Sequence, residues 1–196
     1  MTDYGLERLR QVLPLSPGSA EGAVLDLRTV AEAEAALGVR LPPDYLEFLA
    51  VYGAGTFNDF VSIAAPARVQ VPGIEWYGSS IVEITGTFRH AVATEPWHAE
   101  VLGDGHSYIH WGMDGGGVYY LWRIEGASSA EWPVCLYSDD LTVLPYGMVE
   151  FLARACTDGL PEEQRRFRGS DHEFLHWQDE YRLVTEQLGD ASYSGG

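Results

Sequence analysis

Apolar positions along the chain first recur at helical spacing. Leu6, Leu9, Val12 and Leu13 predict a helix that ends before Pro14, and the Ser-, Pro- and Gly-rich stretch from Pro14 to Gly22 reads as a loop. Thr29-Val30-Ala31-Glu32 has the capping-box pattern, so a second helix is expected to start at Thr29, with Gly38 placed to end it in a left-handed cap. A third helix is expected from Pro42 or Pro43, because the first turn needs no amide hydrogen there, and Asp44 brings negative charge to its positive end. Tyr45, Phe48, Leu49 and Tyr52 then repeat at the i, i+3, i+4, i+7 spacing of one buried face.

Gly53-Ala54-Gly55 stops that helix, and Asn58 to Ile63 predicts a first strand. Pro66 to Gly78 reads as loop and short strand, while Ser79 to Val92 fits helix and strand alike. From His106 the period becomes two. His106 to Trp111, Val118 to Ile124 and Trp132 to Tyr137 are aromatic and β-branched runs, the first two joined by Met113-Asp114-Gly115-Gly116-Gly117, and an antiparallel meander follows. Pro133 places the third run at a sheet edge or at its own start. Pro145 opens a helix lined by Met148, Phe151, Leu152 and Ala155 that ends near Gly159. Ser170 or Asp171 caps a long amphipathic helix carrying Phe174, Leu175, Trp177, Tyr181, Val184 and Leu188. The expected fold is therefore α+β, a mainly antiparallel sheet flanked by helices, with an extra C-terminal helix. Its expected divisions are a domain over residues 1–160, a helical extension over 161–190 and a mobile tail over 191–196.

A chain of 196 residues, 46% of them apolar, suffices for one core-bearing domain. Its net charge of −17 changes the picture more. It comes from 29 carboxylates against 12 basic residues, all of them arginine. The absence of lysine removes the P-loop lysine, the Schiff-base lysine and the kinase lysine together. An acidic surface repels phosphate backbones, so no direct nucleic-acid binding is expected, whereas a basic protein would be drawn to it. Cys135 and Cys156 form neither a disulfide framework nor a CxxC pair. The first residues lack a basic start and apolar core, and no apolar stretch is long enough for a bilayer, which together predict a cytoplasmic protein with no membrane contact.

His172-Glu173-Phe174-Leu175-His176 matches H-E-x-x-H literally. On a helix, His172 and His176 would lie one turn apart and share a zinc, with Glu173 as general base, so a zinc-dependent hydrolase is the alternative from the enzyme class. The match falls in a first helical turn, and Glu180 one turn on extends the row instead of closing a tetrahedral site. Glu95, His98, Glu100, Asp104, His106 and His110 form a second cluster; on one strand His106, Tyr108 and His110 would share a face, as metal ligands or as a polar face packed with aromatics. No G-x-S-x-G elbow is present, and the glycines from Gly103 to Gly117 do not meet G-x-G-x-x-G. No catalytic residue and no cofactor is assigned on these grounds.

Trp76, Tyr77, Trp97, Trp111 and Trp122 are interleaved with Glu75, Glu95, Glu100, Asp104, Asp114, Asp139 and Asp140, the composition of an interface that meets a basic protein. The partner-binding residues expected from it are Trp76, Tyr77, Glu95, Trp97, Glu100, Asp104, Asp114, Asp139 and Asp140.

The stretch Leu37-Gly38-Val39-Arg40-Leu41-Pro42-Pro43-Asp44-Tyr45-Leu46-Glu47-Phe48-Leu49 resembles the "LG..LP.DY..FL" signature of the SUKH superfamily of bacterial immunity proteins, which also includes relatives of a yeast cell-wall-assembly regulator. Trp111-Gly112-Met113-Asp114-Gly115, Val118-Tyr119-Tyr120-Leu121 and Phe151-Leu152 extend the likeness over roughly residues 25–158. Tyr52-Gly53-Ala54-Gly55 stands where the family has an Asn-Gly-Gly-like turn, and the helix after Ser170 lies outside the motif. The resemblance implies a SUKH-like domain over residues 1–160. It also implies a non-enzymatic protein that neutralises a cognate bacterial toxin, a nuclease or deaminase, by direct contact, or else a regulatory scaffold of the same fold.

Overall fold

The computed structural model describes residues 5–15, 25–58, 60–71, 74–157, 159–160 and 172–191, with side chains described for all of these except 70–77 and 187–191. The described residues form α1 (Leu6–Val12), α2 (Leu27–Leu37), α3 (Pro43–Tyr52), β1 (Gly55–Phe57), β2 (Val61–Ile63), β3 (Val69–Val71), β4 (Ile74–Tyr77), α4 (Ile81–Thr94), α5 (Pro96–Leu102), β5 (Tyr108–Asp114), β6 (Tyr119–Arg123), β7 (Val134–Tyr137), β8 (Leu141–Leu144), α6 (Met148–Ala155), β9 (Phe174–His176) and α7 (Trp177–Ala191). Seven strands make one antiparallel sheet in the order β8-β7-β6-β5-β2-β1-β9, and β3 pairs with β4 separately. The α+β class read from the sequence is the class found.

The central strands are buried on both faces, so their alternate residues enter different cores. Ile109 and Trp111 of β5, Tyr120 and Trp122 of β6, and Val134 and Leu136 of β7 pack in the large core with residues of α1, α3 and α6. Tyr108, Leu121, Cys135 and Tyr137, the residues between, pack instead with Phe88 and Val92 of α4 and Leu102 of α5. Trp111 and Trp122 stack in the large core at 5.7 Å between ring centroids.

The signature residues hold this arrangement together. Asp44 accepts the Tyr45 amide at 2.9 Å and, across the structure, the Val149 amide at 3.1 Å. It thus caps α6, whose own N-cap residue, Gly147, offers no side chain. A Cβ at Gly147 would stand 2.6 Å from the Asp44 carboxylate, so glycine there makes room for the cap. Burial raises the Asp44 pKa, against the amide hydrogen bonds that lower it. Next to it, the Tyr45 hydroxyl donates to the Ala64 carbonyl at 2.6 Å, and its ring meets Trp122 edge-on at 5.1 Å. Tyr52, at the end of the same helix, donates to the Leu13 carbonyl after α1.

Several boundaries differ from those expected. Helix α2 starts at Leu27 because Asp26 is the N-cap, accepting the Arg28 amide at 2.9 Å, while the Thr29 hydroxyl donates back to the Asp26 carbonyl. Gly38, at φ 74°, ends it as anticipated. Within the run expected as a first strand, Val61–Ile63 is the second strand of a hairpin, with Gly55 opposite Ile63, and Asn58 is left-handed at φ 51°. Ser79 to Val92 is mostly helix, opened by a complete capping box between Ser80 and Glu83. Helix α5 and strand β8 were not anticipated.

The largest correction concerns the helix expected from Ser170 or Asp171. Phe174–His176 is a strand paired with β1, Phe57 opposite Phe174, and the helix begins only at Trp177. Ser170, Asp171, most of the Pro14–Gly22 loop and residues 192–196 lie outside the described residues.

Gly112 sits where β5 crosses β2, and a Cβ there would stand 2.6 Å from the Ser62 carbonyl oxygen. Gly86, on α4, faces open space. In urea unfolding, Gly112→Ala should therefore lose about 2 kcal/mol through the clash. Gly86→Ala should gain about 0.5–1 kcal/mol through helix propensity.

Candidate functional site

Among the described side chains, the expected partner-binding residues gather on an exposed face at helix α5. Pro96 opens it, and its inward residues, His98 and Leu102, are buried. Trp97, Glu100 and Val101 point outward, with Trp97 51% and Val101 39% exposed. The Trp97 ring lies on His98, 3.5 Å between centroids, and its indole N–H donates to Glu95 Oε2 at 2.8 Å. His98 in turn places Nδ1 2.6 Å from the Tyr137 hydroxyl. Burial, with Tyr119 and Asp139 nearby, raises the Tyr137 pKa, so that hydroxyl keeps its proton.

The His98–Tyr137 contact brings the β7–β8 turn, with exposed Asp139 and Asp140, beside α5. Asp104, exposed after α5, accepts the His106 amide at 2.9 Å; burial lowers the Arg89 pKa, and the Asp104 charge opposes that shift in part. Of the expected residues, then, Glu95, Trp97, Glu100, Asp104, Asp139 and Asp140 are exposed on or beside α5.

Asp114 does not belong with them. It is 3% exposed and turned into the β5–β6 turn, where it accepts the Gly116 and Val118 amides and the Tyr120 hydroxyl. Trp111 and Trp122 are likewise core residues, each 0% exposed, and their indole N–H groups find no acceptor among the described residues. Trp76 and Tyr77 lie on β4, and their side chains are outside the described residues.

A second concave feature was not legible in advance. A cleft of ≈ 320 Å³ lies over β1, β2 and β5, lined by Thr56, Ser62, His110, Met113, Trp177 and Glu180 among others. Its residues come from segments far apart in the chain, so no local motif announces it. The Thr56 hydroxyl donates to Glu180 Oε2 at 3.1 Å. His110, 5% exposed, sets Nδ1 3.2 Å from the Ile84 carbonyl and Nε2 2.9 Å from the Gly112 carbonyl. Burial outweighs the pull of both carbonyls and lowers the His110 pKa to about 4. The ring is neutral at pH 7 and donates to one carbonyl only.

The H-E-x-x-H segment loses its helical premise. His172 precedes β9 and sets Nδ1 2.9 Å from the Asn58 amide, while His176, within β9, accepts the Gln178 amide. An extended backbone does not place residues four apart one turn above each other. No group of three or more His, Cys, Asp or Glu among the described residues is placed to hold a metal ion. The second expected cluster is also dispersed: His98 and His110 are buried with separate partners, and His106 lies outside β5. Burial pushes the Cys135 thiol up to about 11 and the Cys156 thiol to about 12, away from thiolate chemistry at pH 7.

The model of the SMI1 / KNR4 family (SUKH-1) matches residues 25–154, about two thirds of the chain. The chain belongs to this family. The matched region runs from the approach to α2 into α6, and so includes Asp44 and Tyr45, the cap and the anchor described above. In this SUKH-1 chain, α7 and β9 lie beyond the match, yet β9 extends the same sheet. No curated protein and no solved structure matches the chain. No helix among the described residues is long and apolar enough to cross a membrane.

Two measurements check this assignment of roles. Asp114→Ala removes the acceptor for three groups of one turn and should lower unfolding free energy by about 2–3 kcal/mol. For His110, the unfolded ring takes its proton near an ordinary pKa of about 6.5, whereas the folded ring resists down to about 4. Stability is therefore complete above pH 6.5 and lost as pH falls towards 4, with buried His176 adding a loss of the same sign. Urea unfolding across this window should show a shallower fall for His110→Gln than for the parent protein.

Proposed function

We propose that this SUKH-1 protein is an immunity protein that neutralises a cognate bacterial toxin in the cytoplasm by direct contact, without transforming a substrate. The observation that carries the proposal is the exposed aromatic and acidic face on and beside α5, in a member of a family whose resemblance implies toxin neutralisation. Trp97 and Val101 supply apolar contact area. Glu95, Glu100, Asp104, Asp139 and Asp140, all exposed, supply the negative charge. Trp76 and Tyr77 are proposed as further contacts on the strength of their sequence alone.

The charge defines the partner. A net charge of −17 raises the local concentration of a basic protein and speeds its docking, and a nucleic-acid-cleaving or nucleobase-deaminating toxin needs a basic surface of its own. An acidic face that occupies that surface blocks the approach of phosphates by competition for one field. Specificity then falls to the shape of the patch and its aromatic anchor.

Co-expression with the product of the neighbouring gene tests the proposal: growth should be rescued from that toxin, and the two proteins should co-purify. Failure of both rescue and co-purification with every adjacent toxin candidate would leave a regulatory scaffold as the better account. Charge reversal of Asp139 or Asp140 to Arg should slow association several-fold and flatten its salt dependence, with the urea midpoint nearly unchanged.

A further inference from the structure

The indole of Trp97 has one covered face and one open face. Its inner side rests on His98, which the Tyr137 hydroxyl holds, and its N–H is tied to Glu95. About half of the residue, 51%, remains exposed. A ring held at one face and at its N–H has surrendered much of its rotamer freedom before a partner arrives, so contact with the open face costs little further ordering. Val101, one turn along, widens the apolar surface, and Glu100 lies beside it on the same exposed side of α5.

A flat π face with a carboxylate at its edge is complementary to a flat cation. Guanidinium is planar, weakly hydrated on its faces and able to direct N–H groups sideways while it stacks. Lysine ammonium carries the same charge but is compact and strongly hydrated, and it gains little from stacking. The Glu95 carboxylate already accepts the Trp97 N–H at one oxygen and has acceptor sites for more than one donor. We infer that α5 recognises an arginine side chain of the partner protein, stacked on the open face of Trp97 with its N–H groups turned towards Glu95. This rests on the reading of the α5 face as the docking surface, and it adds the side-chain chemistry that the face selects. Acidic charge alone would treat arginine and lysine alike; the fixed indole distinguishes them.

The test uses the full chain, labelled for indole N–H resonances, titrated with two peptides of equal length and charge, a hexa-arginine and a hexa-lysine. The Trp97 indole resonance should shift and saturate with the arginine peptide, which should bind about five-fold or more tightly than the lysine peptide. Trp97→Ala should bring both peptides to one weak affinity, with the remaining indole resonances in place as the check on folding. Trp97→Phe, which keeps a ring but loses the tie to Glu95, should retain part of the preference. Equal binding of the two peptides to the parent protein, an unmoved Trp97 resonance, or a preference that survives Trp97→Ala would each overturn the inference. The outcome is separable from that of the growth test. Arginine preference without protection from a toxin removes the immunity role and leaves this recognition standing, and protection without the preference does the reverse.

Discussion

The register of β5 against its neighbours decides where the large rings go. Trp111 faces Tyr120 and Phe151 on one side of the sheet, and His110, one residue earlier, faces Phe88 and Tyr119 on the other. A slip of one residue would exchange them, driving an imidazole into the large core and an indole against α4. Gly112 permits the close approach of β2 that fixes this register, and the irregularity between His110 and Gly112 lets β5 satisfy β6 as well. Asp44 and Tyr45 then lock the helical layer to the sheet, one through the first turn of α6 and the other through the end of β2 and the ring of Trp122.

The signature that reveals the family is thus a signature of the fold. Its acid and its tyrosine are spent inside the molecule, and neither reaches the exposed face on α5. The face on α5 is built from residues outside the signature stretch, and it is tied to the interior by Leu102 and by the chain from Trp97 through His98 to Tyr137.

Much of the fold was legible where local pattern and tertiary environment agree. Helices α1 to α3 and α6 carry one apolar face each, and β5 to β7 carry aromatic runs separated by glycine turns. Helix α4 was ambiguous because Val82, Ile84, Thr85 and Thr87 have strand character and Gly86 interrupts the helical run; the Ser80–Glu83 box was the signal that could have settled it. Phe174, Leu175 and Trp177 fit a helical stripe, but pairing with β1 and burial of Phe174 against Phe48 and Tyr52 outweigh that local preference. Of the expected contact residues, the exposed ones lie on polar turns or on the outer side of α5. Asp114 was misread because an acid in a glycine-rich turn looks the same in sequence whether it faces solvent or accepts the turn's own amides.

The pairing of β1 with β9 bears on biosynthesis. Phe57 emerges from the ribosome more than about a hundred residues before Phe174, the residue it finally faces. During that interval the outer edge of β1 has no strand to pair with, and the rings of Phe48 and Tyr52 lack their cover. The nascent chain must therefore traverse a stage with an open sheet margin beside exposed aromatics, an aggregation-prone surface. Closure of the sheet joins segments far apart in the chain, and the sequence beyond the family match completes it.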